Sequence, residues 1–220
     1  MKKLIIQTIK TDLHLSIYKI VMIANFLSII LIVGYLTHHF LPPIFSSFSF
    51  LKLDFIDVIV LVAFPFLGIF YTYLLILLIP WLLLLIIGNG DLIAYFALLL
   101  ASFSFYTFFL FFLLFLFFVF YCFQKQQLLS KNKKTNIMIL IWILATFLSA
   151  IFSSFWMTFL NWIFILDLYN QSSLKTQIFT IFLPFNFLKF ILQAIIYSCF
   201  LIPLLVIIKK YTQQNYYILL

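Results

Sequence analysis

Arginine and glutamate are missing from this chain, so 13 lysines and five aspartates carry all of its formal side-chain charge. Charged residues fill 8% of the 220 positions, about a third of what a soluble domain carries. Hydrophobic residues fill 67%, more apolar surface than water tolerates, so the bilayer is the expected solvent. With so few carboxylates there is little material for acid–base catalysis, and no nucleophile–base pair stands out. The two cysteines, Cys122 and Cys199, lie inside apolar runs without metal-ligand spacing. They are expected to be small buried hydrophobes. There are four glycines and no G-x-x-x-x-G-K-[ST] run, which excludes phosphate cradling of ATP by this chain. Gly88-Asn89-Gly90 reads as a turn. No cleavable signal peptide is expected: Lys10, Asp12 and Lys19 interrupt the first apolar stretch, and no small-residue cleavage site follows.

What the chain has is long apolar runs. A bilayer core takes about 20 apolar residues per helix. That ruler gives six helices: roughly Ile17–Leu36, Asp54–Phe66, Phe70–Ile87, Leu92–Phe123, Asn136–Leu166 and Pro184–Ile208. The fourth and fifth are longer than the hydrocarbon is thick, so they must tilt or project. Residues 54–87 also admit one bent helix. The expected fold is all-α, a single integral-membrane domain over residues 1–220. Six crossings put both termini on one side. Lys2, Lys3, Lys10, Lys125, Lys131, Lys133, Lys134, Lys209 and Lys210 collect there, against Lys52, Lys175 and Lys189 on the other. By the positive-inside rule, the richer side is cytoplasmic. The Lys131–Lys134 cluster reads as a topology signal that touches anionic lipid heads, not as a nucleic-acid patch. Abundant phenylalanine, with 32 copies, beside arginine-free lysine usage suggests the AT-rich genome of a small bacterium.

Polar residues inside the last two helices break the apolar pattern. Asn186, Lys189 and Gln193 recur at spacings of three and four, so they share a helix face. An unpaired lysine in hydrocarbon costs at least about 2.5 kcal/mol. Lys189 either snorkels to the outer surface or faces a bundle interior. The two amides favour the interior, because lipid offers them no partner. Ser154, Thr158 and Asn161 form a similar stripe near the outer end of the fifth helix. Serine and threonine there commonly bond back to their own helix, but an amide needs more. Asn161, Asn186 and Lys189 are therefore expected to converge on one outward-facing cavity. Trp81, Trp156 and Trp162 belong either to an interfacial belt or to the walls around a flat aromatic ligand. His38 and His39 are placed in an extended outer loop, where neighbours point opposite ways. Together with Asp54 and Asp57 they offer no H-x-x-x-H spacing, so no metal is expected.

Four stretches, in order, resemble the substrate-binding S component of energy-coupling-factor vitamin transporters, most of all its riboflavin-specific members. LPFNFLKFILQAIIYSCFL (183–201) is similar to that family's last helix, with its L-P-F-N-x-L-[KQ] opening. FLKLDFIDVIVLVAFPFLG (50–68) resembles the entry to its second helix. Trp81 through Gly90 resembles a tryptophan leading to an N-x-G turn, and LNWIFILDLY (160–169) the end of its fifth helix. The resemblance implies a vitamin, riboflavin first, captured from outside by Asn186, Lys189 and Asn161. Thr158, Gln193 and Trp81 stand beside them, and the 37–53 loop covers the site. It further implies docking through Ala24-x-x-x-Ser28 onto a membrane coupling subunit (the T component) that is driven by two ATPases. No cofactor of the chain's own, no catalysis and a bacterial cell membrane follow from the same likeness. The chain departs from the family pattern at Phe190, where glycine often stands, and at Asp57, where a small or apolar residue is usual. Asp167 replaces a proline, Ser28 replaces an alanine, Pro80 lies in an arginine-free third helix, and the fifth-to-sixth loop is short. These leave folate or thiamine as alternative ligands. A membrane-embedded enzyme acting on lipid or quinone, and a structural membrane subunit, are the rival classes.

Overall fold

The computed structural model describes residues 16–43, 52–87, 92–124 and 131–211. Among them every regular element is helical: α1 (Ile17–Phe40), α2 (Ile56–Leu67), α3 (Ile69–Ile87), α4 (Leu92–Gln124), α5 (Lys131–Leu160) and α6 (Leu183–Tyr211). Between α5 and α6 the chain passes through a π-helical turn, Asn161–Ile165, a single α turn, Leu166–Leu168, a 3₁₀ segment, Ser172–Gln177, and a second π turn, Ile178–Phe182. Five helical segments are long and apolar enough to cross a membrane. α2 has 12 residues, about 18 Å of helix against about 30 Å of hydrocarbon. The basic N-terminal stretch, the 88–91 turn, Lys125 and residues 44–51 of the 37–53 loop lie outside the described residues.

The chain divides into two compact units, Met1–Phe103 and Ser104–Leu220, with the boundary inside α4. The first is organised around α2. Phe26 of α1 meets Phe66 at the end of α2, with ring centroids 5.7 Å apart. Gly34 of α1 meets Ile56 at the start of α2 and Leu83 near the end of α3. Lys19 lies 5.0 Å from the ring of Tyr71, at the start of α3. α2 therefore runs antiparallel to α1, and α3 runs parallel to it. A Cβ on residue 34 would lie 2.7 Å from a Leu83 methyl, so glycine there permits this close approach.

The single residue Gly68 reverses the chain between α2 and α3, and the one-bent-helix alternative is thereby excluded. Its φ of 81° and ψ of 179° lie in a region that essentially only glycine occupies. Its N–H donates to Phe64 O at 2.8 Å, and its carbonyl accepts from Thr72 Oγ1 at 2.7 Å. Eight residues of α2 are buried, Asp57 among them in the first turn, where the helix dipole favours an acidic group.

In the second unit α5 and α6 pack together extensively. Phe105 packs on Phe190 with ring centroids 5.3 Å apart, Phe109 edge-on to Trp142 at 5.8 Å and Phe112 on Phe152 at 4.9 Å. Ala145, Ala150 and Ala194 are fully buried. Small side chains let helix backbones approach where lipid supplies no hydrophobic drive.

The structure corrects three expectations. His38 and His39 do not sit in an extended loop: α1 continues to Phe40, and Leu41 N–H caps it on Thr37 O at 3.1 Å. The helix stops only before Pro42, which disfavours helical geometry in the residue preceding it. Cys122 and Cys199 are exposed on the faces of their helices, not buried, because apolar surface in a bilayer can face outward as well as inward. The segment between the last two helices, expected as a plain short loop, is built. Asn170, at φ 56°, sends its N–H to Asp167 O at 2.9 Å, and Gln171 N–H reaches Leu166 O at 2.8 Å. This is a Schellman closure with asparagine in the left-handed position. Asp167 then accepts from Ser172 Oγ at 2.8 Å and from Lys175 Nζ at 2.7 Å, which ties down the 3₁₀ segment.

Candidate functional site

Ten polar residues are buried along α5 and α6 and at the turn closing α5. Thr146, Ser149, Ser153, Ser154, Thr158 and Asn161 come from one side, and Asn186, Lys189, Gln193 and Tyr197 from the other. Spacings of three and four put Thr146, Ser149 and Ser153 on one row of α5, Ser154, Thr158 and Asn161 on the row beside it, and the α6 residues on one face.

The α5 hydroxyls bond first to their own helix. Thr146 donates to Trp142 O at 2.8 Å, Ser149 to Thr146 O at 2.7 Å, Ser154 to Ala150 O at 2.7 Å and Thr158 to Ser154 O at 2.7 Å. Two of them also reach across. Ser154 Oγ lies 3.2 Å from the backbone carbonyl of Asn186. Thr158 Oγ1 accepts from Asn186 Nδ2 at 3.0 Å. The C-terminal end of α5 is thus held to the first turns of α6 by the Asn186–Thr158 side-chain bond, with the Ser154 hydroxyl close beside it.

Around this clamp the polar groups are only partly used. Among the described residues, Asn186 Oδ1 takes no hydrogen bond, and neither does the side chain of Asn161. Both residues are less than a tenth exposed. Asn161 opens the π turn that interrupts the end of α5. Turns of this kind shift backbone register and recur at functional sites. The second π turn, Ile178–Phe182, runs directly into α6. Lys189 is 7% exposed, so its stem and head are enclosed by protein rather than laid along lipid. Its Nζ lies 5.7 Å from the Phe190 ring centre.

The structure therefore brings Thr158 and Asn186 into contact and buries Asn161, Lys189 and Gln193 on the same helices. Trp81 belongs to the first unit and is more than half exposed on α3. Trp156 and Trp162 are also exposed, and Trp156 packs edgewise on Phe108 at 6.5 Å. Ala24 and Ser28 lie on the exposed face of α1, where Ser28 Oγ donates back to Ala24 O at 2.8 Å. Among the described residues no group of His, Cys, Asp and Glu forms a metal site. Sequence reasoning missed Thr146, Ser149, Ser153 and Tyr197. The three hydroxyl residues were detectable, since they form a row of their own, at spacings of three and four, beside the Ser154–Thr158 stripe. Among the described residues, Ser153 Oγ and Tyr197 OH are buried with no hydrogen-bond partner.

No family model matches this chain, and no curated protein matches its sequence. Among solved structures, the S component of a bacterial ECF transporter is similar to it, with a TM-score of 0.61 and 22% identity over 87% of this chain and 97% of that one. The all-helical fold seen here is the fold of that S component.

Proposed function

We propose that this chain is the substrate-capturing subunit of an ECF-type importer and that riboflavin is its ligand. The observation that carries this reading is the pair of enclosed amides, Asn161 and Asn186, with hydrogen-bonding capacity left over beside the enclosed Lys189. Amides and a lysine at such depth are expensive and mark functional sites. The shared fold supports the role, and the motif resemblance around Asn186 and Lys189 supports the vitamin.

In this reading the whole chain acts as one membrane-embedded unit in a bacterial cell membrane, crossing six times with both termini cytoplasmic. The sixth crossing is supplied by α2 together with the non-helical residues 52–55. Lys52 Nζ reaches His38 O at 3.0 Å, so residues 52–55 and α2 together run alongside α1 from Phe26 to His38. Riboflavin enters from outside and meets Asn161, Asn186 and Lys189. Gln193 lies further along the same face. The exposed Ala24–Ser28 face of α1 docks on the coupling subunit, whose two ATPases supply the energy. The chain itself needs no cofactor and catalyses no reaction.

The test is tryptophan fluorescence of the detergent-purified chain, titrated with riboflavin, folate and thiamine. Saturable quenching by riboflavin, weakened in Lys189→Ala and Asn186→Ala, is the expected result. A response to folate or thiamine alone would keep the role and replace the ligand. Folded protein that responds to none of the three would sink the capture reading.

A further inference from the structure

The hydrogen bonds around Thr158 fix which way the Asn186 amide faces. A threonine hydroxyl has one proton. Thr158 spends it on Ser154 O at 2.7 Å. Toward Asn186 it can then only accept, so Asn186 must present its NH₂ group, at 3.0 Å. The Asn186 carbonyl oxygen is left over, on a residue 5% exposed, with no hydrogen bond among the described residues. Ser154 Oγ, whose proton goes to Ala150 O at 2.7 Å, also lies 3.2 Å from the Asn186 backbone carbonyl. Left alone, an asparagine amide can turn over and offer either group. This one is held as an acceptor.

Resting on the capture reading above, we infer that Thr158 is a positioning residue that locks Asn186 as an acceptor, so the site selects a ligand ring edge bearing an N–H. One turn along the same face stands Lys189, which as an ammonium only donates. An acceptor beside a donor is complementary to a cyclic amide or imide, where N–H and C=O are neighbours. A hydroxyl rotates to suit either partner, so a locked amide gains no discrimination from a sugar-like chain. Against a ring N–H it does, because a site whose buried polar group is left unpaired rejects the analogue strongly. Thr158 on this account does not touch the ligand; it acts through Asn186.

The experiment compares riboflavin with 3-methylriboflavin, in which the ring imide N–H is replaced by N–CH₃, on the wild type, Thr158→Val and Thr158→Ser. Wild type should prefer riboflavin by at least about tenfold, the scale of one lost hydrogen bond with its buried partner left unmade. Thr158→Val, nearly the same shape, removes the acceptor and frees the amide to turn, so the preference should narrow several-fold. Thr158→Ser restores the hydroxyl and should restore the preference. A merely structural role for Thr158 would alter stability or both affinities together and leave their ratio unchanged. Riboflavin binding by wild type with no preference over the methylated compound, or a preference that Thr158→Val leaves intact, overturns this inference while the capture reading stands. Absence of binding to either flavin by folded wild type overturns the riboflavin reading and this inference with it.

Discussion

Asn186 on α6 donates from Nδ2 to Thr158 Oγ1 on α5 at 3.0 Å, and both residues are buried. Interhelical bonds of this kind inside membranes average only about 0.6 kcal/mol. Thr158 keeps its own bond to Ser154 O, so losing Asn186 strands no donor on α5. Asn186→Leu should therefore lower stability by no more than about 1 kcal/mol while cutting riboflavin affinity by about tenfold or more. Chemical unfolding in detergent, set beside a fluorescence titration, separates the two effects. A large stability loss with unchanged affinity would make the pair a packing device.

Lys189 carries a different balance. Its head is enclosed at 7% exposure, and holding a cation out of water costs several kcal/mol before any compensation. Lys189→Met keeps an unbranched stem of similar length and removes the charge. The variant should bind riboflavin at least about tenfold more weakly. Titration reads this effect, and thermal unfolding without ligand reads what the enclosed head contributes to the fold. A marked fall in unfolding temperature would mean that the ammonium is part of the structural framework.

Gly68 tests the hairpin. At φ 81° and ψ 179°, any side chain is strained by about 1–3 kcal/mol. Gly68→Ala should lose stability in that range and leave the α5–α6 site chemically unchanged. Unfolding of the purified variant measures it, and an unaltered midpoint would count against the one-residue reversal.

Hydrophobic run length made the helices legible: the expected boundaries of α2, α3 and α4 lie within two residues of those found. The stripes on α5 and α6 were readable for the same reason, since a period of 3.6 leaves a mark in sequence. Burial was less readable. In a bilayer, apolar residues such as Cys122 and Cys199 face lipid or core alike, so hydrophobicity carries no inside–outside signal. The π turns at Asn161–Ile165 and Ile178–Phe182 were invisible, because one extra residue in a turn changes no local propensity. Asp167 could be seen only as a missing proline. Its role appears once Ser172 and Lys175 are placed on its two oxygens.

Phe190 is a case where position in the family pattern misleads and packing decides. It follows Lys189 directly, where glycine often stands in the resembling family, so sequence casts it as a change in the ligand site. In the structure it is fully buried and packs on Phe105 at 5.3 Å between ring centres. A helix turns about 100° per residue, which carries Phe190 off the Asn186–Lys189 face and into the core of the second unit. Restoring the family residue should therefore harm the fold without improving the site. Phe190→Gly leaves a cavity the size of a phenyl ring and adds a flexible residue inside α6. The expected loss is about 3–5 kcal/mol for the side chain, with roughly 1 kcal/mol more for glycine in a helix. Phe190→Leu, which fills most of the space, should lose far less and bind riboflavin as wild type does. Unfolding in detergent orders the three proteins, and titration of the leucine variant isolates the site. If Phe190→Leu keeps its stability but loses riboflavin, the ring belongs to the binding surface and the core assignment is wrong.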